Sequence, residues 1–455
     1  MSARRPASRA PRPRIVALVD DRKRDLAGAT LLAHQLDALG VECLLEPLEA
    51  YRAALAAHRP SLILFNHLNA SHLVAYSRRL HAMGVLTAVL PNEGIVYNAD
   101  QLKFLSNRHH REAHIDYFFC WNEPHRNALR EAGFGPSTHI EAVGVPRFDF
   151  YKAPWSRLFR ASRARGRPRL LLCTNFQLAR LWELPKSEAD KFFSAWVNRI
   201  PLYREYWKTV EHAFLGRQRM LDFADALLAA DRYELVVRPH PREDPKPYVD
   251  WMAALPAAAR RWVRIEATAS ITGLILECDV EISCETCTTA LEAWIAGKPT
   301  VELIFFRDPM LYHPEHGAAS TPCEDPASLP GAVDAVRAGR VEAAVLAARR
   351  ALLAKWCSSP DGTSTARVAQ LIAQAVKAAP APDWSKLTAA DRRRGTKLRL
   401  LRNLGLAYHF DPLMPMKLAF NRDRYAGKHY GYEKAIKPRE VAAARAQLVK
   451  ALGAG

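Results

Sequence analysis

Four short stretches carry side chains suited to catalysis or anion binding, and each follows directly on a short apolar run. The first is Pro91-Asn92-Glu93-Gly94, after "VLTAVL". A carboxylate on a Gly-flanked turn is placed to take a proton as a general base, or else to cap the next helix. The second is Cys173-Thr174-Asn175-Phe176, after "RLLL". Its hydroxyl and amide suit a phosphate or a sugar, and they equally suit an Asx-type turn. The third is Arg238-Pro239-His240-Pro241, after "YELVV". Two prolines fix the backbone around one imidazole, and the arginine and histidine together offer charge-assisted donors to a mono- or diphosphate. The plainer alternative is a rigid loop with a surface histidine. The fourth is "CETCTTALEAWIAGKPTVEL", beginning at Cys284. Thr288 and Thr289 stand where a helix begins, and such starts attract phosphate; Glu292, one turn on, suits a vicinal diol such as ribose. A well-capped helix would use the same threonines. Cys284-x-x-Cys287 lacks the second ligand pair that zinc requires, so no metal ligand set is expected.

The elements that position these stretches are legible as an alternation. From Arg14 onward, "RIVALVD", "VECLLE", "SLILFN", "VLTAVL" and "DYFFCW" read as strands, with amphipathic runs such as Leu26–Leu39 and Leu73–Met83 between them. The first half closes near "AVGVPRFDFY", and a basic connector leads to a second series: "LLLCTNF", "YELVVRPHP", "WVRIEA", "DVEISC" and "PTVELIFF". Strands alternating with helices predict parallel sheets covered on both faces. The expected organisation is a basic, disordered arm over 1–13 and a Rossmann-like acceptor domain over 14–152. A Rossmann-like nucleotide domain follows over 168–376, with a helical insert over 178–230, and then a basic helical extension over 383–450. Two such halves predict a cleft, with ligands beyond the carboxyl ends of the strands.

The net charge of the 455-residue chain is +18, and it is concentrated at the ends. Residues 1–14 hold five arginines and no acid, and 383–450 hold 16 Lys and Arg against 6 Asp and Glu. The body between is nearly neutral, so partners that favour cations should meet the ends of the chain and not its middle. An anionic membrane surface is the expected one, the alternative being that the helices of the extension wrap the body and turn their cations to water. With no zinc finger, helix-turn-helix or aromatic RNA motif, nucleic acid is not. No apolar run reaches the ~18 residues of a membrane span, and the arginine-rich start has no apolar segment after it. A cytoplasmic protein is expected, peripheral at the inner face of the cytoplasmic membrane if the extension docks there. The eight cysteines lie mostly in apolar segments and read as reduced core residues. The first strand is followed by "VDDRKRDLAG" rather than Gly-x-Gly-x-x-Gly, which counts against a nicotinamide or flavin enzyme. A P-loop, a Gly-x-Ser-x-Gly elbow and an Asp-x-Asp pair are also missing, so the expected chemistry needs no cofactor and no obligatory metal.

Taken in order, "LPNEGIVYN", "GVPRFDF", "LLCTNF", "VVRPHPRE" and "CTTALEAWIAGKP" resemble the surface carbohydrate biosynthesis protein family. That family is similar to GT-B glycosyltransferases and has motifs related to bacterial Kdo and sialic-acid transferases. The resemblance covers about Arg14 to Val376. It implies two Rossmann-like domains, with a nucleotide-sugar donor held mainly by the second and a CMP-linked acid sugar among the candidates. It also implies that His240 contacts the donor phosphate, Glu93 is the acceptor base and Glu292 binds ribose. Asn92 stands where sialyltransferases carry a second acid, and the extension 383–450 has no counterpart. The implied function is glycosyl transfer in the assembly of a surface polysaccharide, capsule, lipopolysaccharide or lipid-linked glycan. A nucleotide-sugar 2-epimerase, a CDP-polyol phosphotransferase and a non-catalytic assembly protein are the alternatives.

Overall fold

A computed structural model describes residues 12–108, 112–159, 166–422, 424–425 and 434–453. Most of the basic arm, part of the connector before 166, and Tyr430 and Tyr432 of the extension lie outside these residues. The chain divides into two compact units. Unit 1 comprises the described residues up to Gly94, Ser106–Arg147, and those from Thr363 onward; unit 2 comprises Ile95–Leu105 and Phe148–Gly362.

Unit 1 contains six parallel strands: β1 (Arg14–Val19), β2 (Glu42–Pro47), β3 (Leu62–Phe65), β4 (Leu86–Val89), β5 (Tyr117–Cys120) and β6 (His139–Ala142). Their order is β2-β1-β3-β4-β5-β6. All four residues of "LILF" in β3 are buried, as a strand covered on both faces requires. On one face Val16, Ile63, Phe65 and Phe118 pack against Leu55, Tyr76 and Leu80. On the other, Ile15, Ala17, Leu62 and Leu64 pack against Leu32, Leu36, Val368, Ile372 and Val376. The helix Ser364–Ala378 therefore belongs to unit 1, where the sequence reading had assigned its residues up to 376 to the second domain. Its apolar stripe covers a face of the first sheet, and sequence periodicity shows that a stripe exists without showing which sheet it meets.

The extension begins the same way. Helix Ala389–Asn403 starts in a capping box made by Thr388 and Asp391 and lies against the helix Tyr51–His58. A Cβ on Gly395 would come within 2.8 Å of the Ala57 nitrogen, so only glycine permits this approach. Leu387 and Leu398 enter the core, Asp391 pairs with Arg79, and Arg402 pairs with Glu46. A part of the basic segment is thus structural.

Unit 2 repeats the architecture with β7 (Arg169–Cys173), β8 (Glu234–Arg238), β9 (Val263–Ile265), β10 (Val280–Cys284), β11 (Thr300–Leu303) and β12 (Pro322–Cys323), in the order β12-β11-β10-β7-β8-β9. Counted from its own first strand, this is the 3-2-1-4-5-6 order of a doubly wound nucleotide-binding sheet. The expected insert ends in the long helix Tyr206–Ala229, which is the β7-to-β8 crossover; Val210, Ala213, Met220 and Phe223 pack it into the core of the unit. The segment Phe148–Tyr151, expected to close the first domain, is buried in unit 2.

Candidate functional site

In unit 2 the strand order reverses between β7 and β10, and ligands of such sheets sit beyond the carboxyl ends at that reversal. Three of the four expected stretches lie there, after β7, β8 and β10. The loops after β7 and β8 are joined by Glu243, a residue of "VVRPHPRE" for which the sequence alone suggests no role. The Thr174 hydroxyl lies 2.8 and 2.9 Å from the Glu243 oxygens and donates to this carboxylate. The Phe176 N–H donates to the same carboxylate at 2.6 Å, as does the Tyr248 hydroxyl. Burial raises the Glu243 pKa, and these donors pull it back only in part. In turn Thr174 accepts the His240 N–H at 3.1 Å, so its hydroxyl ties both loops together.

His240 accepts the Arg242 N–H at Nδ1 over 3.2 Å, which leaves Nε2 to carry the proton of the neutral ring. Burial, helped by Arg242 and Arg238, lowers its pKa to about 4. At neutral pH it is therefore an uncharged donor with a fixed tautomer, rather than the cationic donor expected from the sequence. Arg238 donates to the carbonyl oxygens of Glu266 at 3.2 Å and Pro239 at 3.4 Å, and burial lowers its pKa. Asn175, next to Thr174 in the chain, is half-buried.

After β10 the backbone takes two consecutive left-handed residues, Glu285 (φ 52°) and Thr286 (φ 56°), neither of them glycine. Such strain persists only where the surroundings enforce it. Glu285 accepts the N–H groups of Phe305 at 2.7 Å and Phe306 at 2.8 Å, and the Thr286 N–H donates to Glu302 at 2.6 Å. The loop leads into helix Thr289–Ile295, whose N-cap Thr288 makes no side-chain capping bond among the described residues. The Thr289 hydroxyl turns inward to Glu281 at 2.7 Å. Glu292 is buried and accepts the Tyr151 hydroxyl. Cys284 and Cys287 are free and buried, and burial pushes the Cys287 thiol up to about 12.

Beneath the loop lies an acidic layer the sequence reading missed. Ser283 Oγ stands 3.0 Å from Glu302 and 3.3 Å from Glu281. Burial raises Glu281 to about 8 and also raises Glu302, beside which the Glu281 charge adds to the effect. Their positions within "VEISC" and "TVEL" resemble the outward half of alternating strands. Only the packing of this sheet on both faces shows that they point into the protein.

In unit 1 the turn after β4 is held rigidly. The Trp121 indole N–H donates to Pro91 O at 2.9 Å and the Asn122 amide to Gly94 O at 2.7 Å. A Cβ on Gly94 would approach the Trp121 ring to 2.8 Å. Asn92 donates to Asp25 at 3.2 Å, and Arg147 lies 4.9 Å over Trp121. From this frame the Glu93 side chain projects into solvent, 78% exposed, with Arg24 at 3.9 Å. The reversal in this sheet lies between β1 and β3, where Asp20, Arg24 and Asp25 follow β1. Burial works against the Asp20 charge, yet Lys434, Arg24 and His67 hold its pKa below the ordinary carboxylate value. Asn66, after β3, is 6% exposed, and neither atom of its amide finds a partner among the described residues. Sequence inspection noticed "VDDRKRDLAG" only for lacking glycines, although its clustered acids after a strand were the available signal.

No protein-family model matches the chain, and no curated protein matches it in sequence. Among solved structures it is similar to Anabaena HepE in complex with UDP-glucose, at 13% identity over 80% of this chain and 99% of that one, with a TM-score of 0.42. It is also similar to the wall teichoic acid polymerase TagF, at 13% identity over 81% and 90% of the two chains (TM-score 0.48). A UDP-N-acetylglucosamine 2-epimerase is similar at 9% identity over 82% and 99% (TM-score 0.45). The α/β, GT-B-like organisation expected from the sequence, two Rossmann-like parallel sheets, is present in the two units.

Proposed function

We propose that this chain is a metal-independent GT-B-type glycosyltransferase, which takes a nucleotide-activated sugar and acts in surface polysaccharide or lipid-linked glycan assembly. The observation that carries the reading is the set of polar loops gathered at the strand-order reversal of unit 2. His240 Nε2–H and the permanently charged Arg238 receive the donor phosphate, and Asn175 and the uncapped Thr288 complete its surroundings. A bound phosphate dianion draws the His240 pKa upward, so the imidazole gains charge as the leaving group does. Thr174 and Thr289 support from behind, holding the loops through Glu243 and Glu281. Glu292 meets the ribose in partnership with Tyr151, and Glu93 in unit 1 takes the acceptor proton.

The test is a panel of nucleotide sugars scored by thermal stabilisation, since a ligand that binds only the native protein raises its melting temperature. At least one donor should stabilise the wild type and do so much less in His240→Ala. Failure of every donor, or equal stabilisation in an Arg238→Ala/His240→Ala variant, would refute the assignment. Release of epimerised free sugar without any acceptor would mark an epimerase instead.

We also infer that the extension docks on an anionic membrane. Leu413, Met416 and Phe420, spaced to share one helical face, are exposed, Phe420 by 86%, and so are Leu400 and Leu404. Exposed Arg399, Arg422 and Arg424 flank them. Among the described residues no helix is long and apolar enough to cross a membrane, so the contact is interfacial. Sedimentation with anionic and neutral liposomes should show anionic preference, lost in Leu413→Ser/Met416→Ser/Phe420→Ser. Equal partitioning of variant and wild type would end this reading.

A further inference from the structure

We propose that unit 1 carries a structural site for one divalent transition metal, of the zinc class, formed by His81, His114 and Asp116. One donor atom from each of these residues lies within 4.8 Å of the others, in the one such cluster among the described residues. Two segments supply them, since His114 and Asp116 stand two residues apart. His81 is in the last turn of the helix Ser71–Ala82, His114 is in the connection that follows 111, and Asp116 directly precedes β5.

The arrangement is built rather than incidental. Ser77, one turn before His81 on the same helix face, accepts the His114 N–H at 3.0 Å. The two imidazoles are stacked, with ring centroids 3.5 Å apart and planes 24° from parallel, so the exposed His81 ring has to turn out of the stack before both rings face one ion. Arg78 fastens the same connection by donating to Glu112, at 2.6 Å to its carbonyl and 2.7 Å to its carboxylate. Asp116 is held through one oxygen by the Thr87 N–H at 2.7 Å, which aims the other at His114 Nε2, 3.2 Å away. A carboxylate oriented by a backbone donor is the kind of support that fixes metal ligands.

Distance decides whether an ion fits. Around tetrahedral Zn2+, with nitrogen and oxygen ligands at about 2.0–2.2 Å, neighbouring ligand atoms lie about 3.3–3.5 Å apart. The His114–Asp116 separation of 3.2 Å already matches, and His81, whose ligand atom lies within 4.8 Å of the other two, reaches the same range by rotation of its exposed side chain. The position also favours a cation, because His81 stands at the negative end of its helix. Gly84, at φ 74°, ends that helix, and Val85 and Gly84 bond the carbonyls of Leu80 and His81. The nearby cations are engaged elsewhere, Arg78 with Glu112 and Lys386 with Ala82 O at 2.5 Å. Two imidazoles and one carboxylate select zinc, cobalt or nickel over magnesium and calcium, with water in the remaining position. The cluster lies at the amino end of β5, opposite the carboxyl ends where Glu93 stands, so it is a staple and takes no part in the chemistry.

The test uses the full chain after treatment with a chelator. Addition of Zn2+ or Co2+ should bind one equivalent, raise the melting temperature, and with Co2+ give a visible absorption band. His114→Gln should weaken binding by more than about 100-fold, beyond the cost of losing a supporting partner alone. His81→Gln, at an exposed position, and Asp116→Asn, which keeps an acceptor for Thr87, should each weaken it in a protein that still folds. Absence of saturable binding would overturn the proposal, as would unchanged affinity in His81→Gln/His114→Gln. Nucleotide-sugar binding is read separately, so either conclusion can fail without the other.

Discussion

Replacing Thr174 by valine tests whether the loops after β7 and β8 form one unit. The side chains have nearly the same shape, but the hydroxyl is lost from a site that is 2% exposed. Two bonds go with it: the donation to the Glu243 carboxylate, and the acceptance of the His240 N–H. A hydrogen bond to a charged group contributes about 1.5–3 kcal/mol and a neutral one about 0.5–1.5, so the loss should be about 2–4 kcal/mol. Urea unfolding of Thr174→Val, Glu243→Gln and the double variant supplies the assay. If Glu243 acts through Thr174, the double variant should be more stable than the summed single losses imply, by at least about 1 kcal/mol. Thr174→Ser should retain most of the wild-type stability. Additivity within about 0.5 kcal/mol would show that the two residues act independently, and the account of a joined loop would be wrong.

Glu93→Gln should lower turnover by about 100-fold or more while donor affinity stays constant, measured by steady-state kinetics once the donor is known. Gly94→Ala should lower stability by about 1–3 kcal/mol, because its Cβ meets the Trp121 ring at 2.8 Å; an unchanged melting temperature would show that the turn can yield. Glu281 has a folded pKa raised to about 8, so its contribution is complete below about pH 4.5 and is lost as the pH rises through 8. Glu281→Gln, which keeps an acceptor for Thr289, should therefore gain stability over wild type at pH 8.5 relative to pH 5. Parallel stability curves for the two proteins would contradict the buried position.

The alternation of apolar runs with amphipathic stretches made the α/β class legible, and the strands carrying the candidate loops fell close to the expected places. The two-residue β12 and the short β6, "HIEA", were missed because such edge strands need little apolar content. Sequence order also hid the neighbours. Arg238 and His240 stood out because prolines mark them, whereas Glu243, three residues on, matters through Thr174, which lies far away in the chain. Asn66 and Glu281 escaped for a related reason: a polar residue inside an apolar run looks like a solvent-facing position until both faces of the sheet are seen to be covered. The unit boundaries failed at 363–376, since an amphipathic stripe carries no label for its partner.

The return of the helices Ser364–Ala378 and Ala389–Asn403 to unit 1 affects how the protein is made. The strands of the first sheet have all been synthesised once β6 is complete, but the helix Ser364–Ala378, which with Leu32 and Leu36 covers one of its faces, follows only after the whole of unit 2. At typical elongation rates of about 5–20 residues per second, that face waits roughly 10–45 s on the nascent chain. Unit 2, uninterrupted from Phe148 to Gly362, can close during the interval. The half synthesised first is therefore finished last, and the apolar surface of Ile15, Ala17, Leu62 and Leu64 is the segment for which a chaperone bound to the growing chain has most to do.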